Sequence, residues 1–218
     1  MPMALAPASR DSAAQWAHTT LPRAPALIRF RWHYQDERVK YAGRGTVRIA
    51  PPDTLRFDYV GPLGLGSGAA VIIADSVLWA DPEKDFRSLV PAVPMLWAAF
   101  AMVRRPADDA AVFGMQLVDS LRHTRRLVWR FAQPEDTLDY LMTPPDSARR
   151  GGMLEAEWRQ QGKMVARSWS RVDTLAHPAS ARIDFPQAAR GGGARFELTV
   201  VAYDTAQVFA PAIWRSRR

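Results

Sequence analysis

Ile28-Arg29-Phe30-Arg31-Trp32-His33-Tyr34 alternates a large apolar side chain with a polar or charged one at every step. Neighbouring side chains of a strand point to opposite faces. This stretch therefore predicts a strand with an apolar face (Ile28, Phe30, Trp32, Tyr34) and a wet face (Arg29, Arg31, His33). The theme continues through Val39 and Tyr41, Thr46 to Ile49 and Leu55 to Tyr59, with Pro51-Pro52-Asp53 as a turn. Further strands are predicted at Ala69 to Ile73, Val77 to Ala80, Arg126 to Phe131, Thr137 to Met142, Leu154 to Trp158, Met164 to Val172, Ala181 to Phe185 and Phe196 to Tyr203. Many short strands without regular helical alternation predict a mainly β fold, an antiparallel sheet that curls or closes. No strict repeat is visible.

Between two of these strands lies Gly61-Pro62-Leu63-Gly64-Leu65-Gly66-Ser67-Gly68. The glycines and Pro62 mark a connection. Such loops normally lie in water, yet this one carries two leucines. Leu63 and Leu65 are therefore read as displayed at a loop tip, where they are candidates for contact with a membrane or a partner.

Two segments break the β rhythm. The first, to about Arg23, is rich in Ala, Pro and Ser, with a short helix expected near Asp11 to Thr19, capped by Asp11 or Ser12. The second, Leu89 to Val103, is apolar and ends at Arg104-Arg105-Pro106. Pro94 suits the first turn of a helix, and the two arginines suit its C-terminus. About ten helical residues span roughly 15 Å, half the hydrocarbon core of a bilayer. A helix apolar all round must be covered on every side. It is read either as a movable lid over a cavity or as a plug packed permanently on the sheet.

The 218 residues are 48% apolar and include 8 Trp, 9 Phe and 5 Tyr, enough to bury a substantial core. The net charge is +7, carried by arginine, since Lys40, Lys84 and Lys163 are the only lysines. A basic balance points toward nucleic acid or anionic headgroups. The arginines, however, alternate with core residues along strands, as solvated faces do, and nucleic acid is not expected as a partner. There is no cysteine, so neither a disulfide nor a thiolate metal site can form. No run reaches the ~18 apolar residues of a membrane-spanning helix. The first residues lack the basic and apolar regions of a secretory signal.

Motifs for chemistry are missing. His18, His33, His123 and His177 lie far apart, without ligand spacing. The glycines after Pro62 precede a strand rather than the helix that a phosphate cradle needs. Ser67 lacks the flanks of a nucleophile elbow. Asp81, Glu83 and Asp85 read as a solvated turn. No catalytic residue, metal site or cofactor is expected.

Six short stretches together resemble the LolA/LolB superfamily of bacterial lipoprotein-localisation proteins. They are Gly43-Arg44-Gly45-Thr46-Val47, Pro62-Leu63-Gly64, Pro91 to Phe100 with Leu96-Trp97, Trp158 to Lys163, Pro178 to Ile183, and the strand Phe196 to Val201. The resemblance runs over roughly residues 28 to 205. It implies an unclosed antiparallel β-barrel of about eleven strands, plugged by helices, whose apolar interior accepts acyl chains. It also implies that a protruding loop delivers lipoproteins to the outer membrane through an exposed leucine, here Leu63, with Leu65 beside it. Receptors of this family are lipid-anchored through an N-terminal cysteine, which this sequence lacks.

The resulting expectation is a non-enzymatic carrier or chaperone at the periplasmic face of the outer membrane. Its partners would be lipoprotein acyl chains or other lipid, the membrane surface and a periplasmic carrier protein. Phe30, Trp32, Phe57, Tyr59, Trp79, Leu96, Trp97, Phe100 and Trp129 are the candidate cavity or lid residues. The division expected is an N-terminal helix or anchor linker over 1–23, one barrel domain over 24–210 and a basic tail over 211–218. The competing reading is a protein-interaction module of the cell envelope that docks through the Leu63 loop.

Overall fold

The computed structural model describes residues 5–64, 66–90, 92–119, 124–145, 151–186 and 192–215. In chain order come strand Ala6–Pro7 (β1), helix Arg10–Thr19 (α1), and strands Ala26–Gln35 (β2), Lys40–Ala50 (β3), Thr54–Val60 (β4), Ser67–Ile73 (β5) and Ser76–Asp81 (β6). Two short helices follow, Glu83–Leu89 (α2) and Val93–Ala99 (α3). The remaining strands are Ala111–Asp119 (β7), Thr124–Ala132 (β8), Asp136–Thr143 (β9), Met153–Gln160 (β10), Lys163–Val172 (β11), Pro178–Phe185 (β12) and Ala194–Asp204 (β13).

Two antiparallel meanders, β2 to β6 and β7 to β13, are stitched into one sheet where β13 pairs with β2. The strand order is β1-β7-β8-β9-β10-β11-β12-β13-β2-β3-β4-β5-β6, and its two ends, β1 and β6, are not paired. Among the described residues the sheet is therefore an unclosed barrel, of thirteen strands rather than about eleven. The two additional strands are β1, only two residues long, and β7, in which Gly114 and consecutive apolar residues obscure the period of two.

Strand β2 shows why the sheet has one dry face. Ala26, Ile28, Phe30, Trp32 and Tyr34 are buried, whereas Arg29, Arg31 and His33 are exposed. On the inner face Phe30 packs against Phe57 (ring centroids 5.6 Å apart), Trp32 stacks on Phe196 (6.2 Å) and Phe57 meets Phe86 of α2 (6.1 Å). Such aromatic pairs contribute about 0.5–1.5 kcal/mol each beyond their buried area.

Glycines admit these rings. Gly43 and Gly45 stand directly opposite Trp32 and Phe30. A Cβ at Gly43 would lie 2.6 Å from the Trp32 ring, and one at Gly45 would lie 2.4 Å from the Phe30 ring. The aromatics fold down into the space a side chain would fill. The Trp32 indole then reaches across the strand to donate to the Arg44 carbonyl at 3.2 Å.

The outer face is laced with ion pairs. Arg130, Asp139, Glu157, Arg167, Asp184 and Arg195 face one another in register on consecutive strands from β8 to β13. Arg130 bonds Asp139 at 2.6 Å, Arg167 approaches Glu157 at 3.2 Å and Arg195 bonds Asp184 at 2.9 Å.

Local structure at three places departs from the sequence reading. Helix α1 is capped by Ser9, whose hydroxyl accepts from the Ser12 amide, two to three residues earlier than expected. Asp81, Glu83 and Asp85 form the end of β6 and the first turn of α2 rather than an open turn; acidic residues at a helix start complement its dipole. Helix α3 has seven residues rather than about ten. Pro94 lies in its first turn, and Ala101, in a left-handed conformation (φ 59°), ends the coil just after Phe100.

Candidate functional site

Helix α3 lies on the inner face of β10, β11 and β12. Small buried residues make its seat: Ala156 on β10, Ala166, Ser168 and Ser170 on β11, and Ala181 on β12. Met95, Leu96, Trp97, Ala98 and Ala99 are each at most 1% exposed, so the last five residues of the helix are dry all round, while Val93 and Pro94 at its start are half-buried. It occupies the barrel interior as a plug.

Few polar contacts hold the plug. The Trp97 indole donates to the Ala74 carbonyl at 3.1 Å, and the Ser170 hydroxyl donates to the Ala99 carbonyl at 3.2 Å. Beyond the helix, the Val103 amide donates to the Thr20 hydroxyl at 2.8 Å, and the Arg104 amide reaches the Tyr140 hydroxyl at 3.4 Å. The Arg104 guanidinium, itself buried, lies 5.7 Å from the centre of the Trp97 ring and pairs with Asp75 at the β5–β6 turn. Arg104 thus serves as a clasp from the plug to the sheet rather than as a charge at the C-terminus of α3. Burial lifts the Asp75 carboxyl above its usual range, and Arg104 opposes that rise without cancelling it. Burial also pushes the Tyr140 hydroxyl up.

The candidate residues divide by face. Phe30, Trp32, Phe57 and Tyr59 sit buried on the inner face, and Leu96, Trp97 and Phe100 sit buried on the plug segment. Trp129 is half-buried on the inner face of β8, stacked on Trp16 of α1 at 5.7 Å. Trp79 lies on the opposite face. A β-bulge at Leu78 lets Val77 pair with Ile72 and Trp79 with Val71, so Trp79 faces outward although it is two residues from inward Val77. There the C-terminal segment covers it: its indole donates to the Trp214 carbonyl at 3.0 Å, and Arg56 lies 5.4 Å from its ring.

Sequence reasoning left Trp16, Phe86, Tyr140 and Phe196, all packed into this interior, out of the candidate set, and read Arg104 only as a helix-end charge. It also passed over Ser168 and Ser170. Their signal was available, since both occupy the inward-facing register of β11 between Ala166 and Val172. Among the described residues, the buried Ser168 hydroxyl has no hydrogen-bond partner, and the same holds for the Tyr59 hydroxyl. Burial, with Asp85 and Asp81 nearby, pushes Tyr59 up to about 12.

The loop between β4 and β5 begins two residues beyond Tyr59. Leu63 is the middle residue of a single 3-10 turn, Pro62–Gly64, and Leu65 lies outside the described residues. The Gly61 amide donates to the Gly66 carbonyl at 2.7 Å, closing the loop at its base. Pro62, Gly64, Gly66 and Ser67 are exposed, and Gly64 and Gly66 both have positive φ (81° and 69°). The turn therefore depends on glycine, and it lies beside β3.

Among the described residues, no three His, Asp or Glu side chains gather as a metal site, and no helix is long and apolar enough to cross a membrane. The arrangement is that of an open antiparallel barrel with an apolar, helix-filled interior and an exposed glycine-rich loop between β4 and β5.

Solved structures place that fold. The chain has the fold of the LolA superfamily. A LolA superfamily protein from Nitrosomonas europaea superposes with a TM-score of 0.61 at 11% identity, over 94% of this chain and 98% of that one. A DUF1329 family protein from Desulfovibrio piger superposes at 0.54 with 8% identity, over 94% and 95%. No known family's sequence model matches the chain, and no curated protein matches it in sequence.

Proposed function

We propose that this chain is a non-enzymatic carrier. It would bind acyl chains of lipids or lipoproteins in the space vacated by α3 and deliver them to the outer membrane through the Leu63 loop. The observation that carries the reading is the plug itself. A wholly apolar helix sits on a seat of small residues, held by few polar contacts, so an apolar ligand can take its place without leaving many buried polar groups unpaired. An acyl chain of about 15 methylenes gains about 12 kcal/mol on leaving water, enough to compete with the packing of a seven-residue helix. No covalent step or cofactor is needed, and release requires only a competing apolar phase.

In this reading Phe30, Trp32, Phe57, Tyr59, Leu96, Trp97, Phe100 and Trp129 line the opened interior, and Leu63 and Leu65 touch the bilayer. The protein would work in the bacterial envelope, at the periplasmic face of the outer membrane, and receive cargo from a periplasmic carrier. The test is transfer of a fluorescent acyl probe from the protein to vesicles. Leu63→Glu should bind the probe as wild type does but transfer it at least tenfold more slowly. Failure of the wild-type protein to bind any probe would favour a protein-docking role for the loop.

A further inference from the structure

On the outer face most arginines have a carboxylate: Arg29 pairs with Asp204, Arg48 and Arg56 with Asp58, Arg182 and Arg195 with Asp184. Arg31 and Arg44 depart from this. They stand directly opposite each other on β2 and β3, both exposed, and neither side chain makes a hydrogen bond or ion pair among the described residues. Like charges directly opposite across two antiparallel strands repel. The pair is therefore a surface site open to an anion.

Its position says which anion. Arg44 pairs with Val60, the residue just before Gly61, and Arg31 lies one strand further out, so the two arginines flank the root of the loop at about one and two interstrand spacings of ~4.8 Å. The headgroup layer of a bilayer is about 5–8 Å deep on each side. A loop that touches the bilayer from β4 thus brings Arg31 and Arg44, with the β2–β3 hairpin that continues four residue pairs past them, toward the lipid phosphates. The indole of Trp32 donates to the Arg44 carbonyl at 3.2 Å from the inner face, which fixes the strand at this point. Lys40 stands exposed on the same face toward the β2–β3 turn.

The acidic neighbours are few and mostly engaged. Asp36 caps that turn by accepting from the Arg38 and Val39 amides at 2.8 Å, Glu37 leans against Gly192, and Glu197 stands opposite His33.

We propose that Arg31 and Arg44 form a phosphate clamp for the headgroups of anionic phospholipids, which sets how deep and in what orientation the loop meets the bilayer. This rests on the reading of the loop as a membrane contact. A neutral bilayer would be met by the loop alone, and an anionic one by loop and clamp together.

The test is co-sedimentation of the full chain with vesicles of phosphatidylcholine alone and of phosphatidylcholine with roughly a third phosphatidylglycerol. Wild type should bind the anionic vesicles more tightly, and the increment should vanish near 1 M salt, where the Debye length is about 3 Å. Each arginine removed should weaken anionic binding about fivefold, so Arg31→Gln with Arg44→Gln should lose roughly 25-fold and keep wild-type binding to neutral vesicles. Unchanged thermal unfolding of the double variant guards against misfolding, as both side chains are exposed. Anionic binding equal to wild type in the double variant overturns the clamp. If Leu63→Glu also abolishes neutral binding in that case, the loop reading survives without it. Conversely, a Leu63→Glu protein that binds neutral vesicles normally sinks the loop reading, whatever the arginines do. Retention on immobilised polyaspartate with no binding to either vesicle would mark an acidic protein as the partner and overturn the proposal. Protection of the clamp by millimolar inorganic phosphate, with no preference between vesicles, would assign it to free phosphate and overturn the lipid assignment.

Discussion

Phe100 meets Phe30 edge-on, with ring centroids 5.5 Å apart and planes inclined at 63°. Phe30 is the centre of the alternating β2 face, and Phe100 follows the last helical residue of the plug. The contact inserts the plug segment into the aromatic cluster of the sheet. Phe100→Ala should cost about 3–5 kcal/mol in denaturant unfolding, the usual loss for a buried phenylalanine. In the carrier reading, a saturating acyl ligand should restore part of that loss by filling the space. Equal stability of variant and wild type would show that the plug is not held there.

Arg104 is the polar counterpart of that contact. It clasps Asp75 and lies over the Trp97 ring, while its partner carboxylate is part-buried and keeps one side to water. Arg104→Met keeps the length of the side chain and removes the ion pair, so global stability should fall by no more than about 1 kcal/mol. Local opening should respond more. Amide exchange within Met95–Ala99 should accelerate relative to the strands, read by hydrogen–deuterium exchange. Uniform acceleration over the whole sheet would make Arg104 a general stabiliser rather than a clasp.

The charge row across β8 to β13 predicts the response to acid. Burial alone would raise Glu157, but the hydrogen bond from Arg159 and the nearby positive charges hold it below the usual carboxylate range. Asp184 behaves alike: burial raises it, and hydrogen bonds from Arg182 and Arg195 more than offset this. A carboxylate depressed in the folded state stabilises above its unfolded value and loses that contribution as pH falls through the folded value. Stability should thus be flat from neutrality to about pH 5 and fall below about pH 4. In Glu157→Gln with Asp184→Asn, thermal unfolding measured from pH 7 to 3 should start lower and fall less steeply. A wild-type midpoint that rises on acidification would contradict the assignment.

The architecture was legible in the sequence where one face of a strand is dry and the other wet. Phe30, Trp32, Phe57 and Tyr59 fall on the buried face because the period of two is uninterrupted there. Legibility failed where the chain changes phase. The bulge at Leu78 turns Trp79 outward although its spacing from Val77 predicts the same face, and Gly114 hides β7. Gly43 and Gly45 were visible as a motif, but the rings that need their space became evident only from the register of β2 against β3. Arg104 was visible too, yet its partner Asp75 is 29 residues away in sequence. Such a pair exists only once β6 has turned back on β5.

The central claim, that the interior accepts acyl chains in place of α3, is tested most directly by native mass spectrometry of the protein expressed in a bacterial envelope and purified without detergent. The account predicts a mass increment equal to one lipid or acylated peptide. It further predicts that collisional activation releases this ligand and that the ligand competes with a fluorescent acyl probe. A protein that carries no lipid, binds no added acyl chain and keeps Met95–Ala99 fully protected from exchange in its presence would contradict the claim.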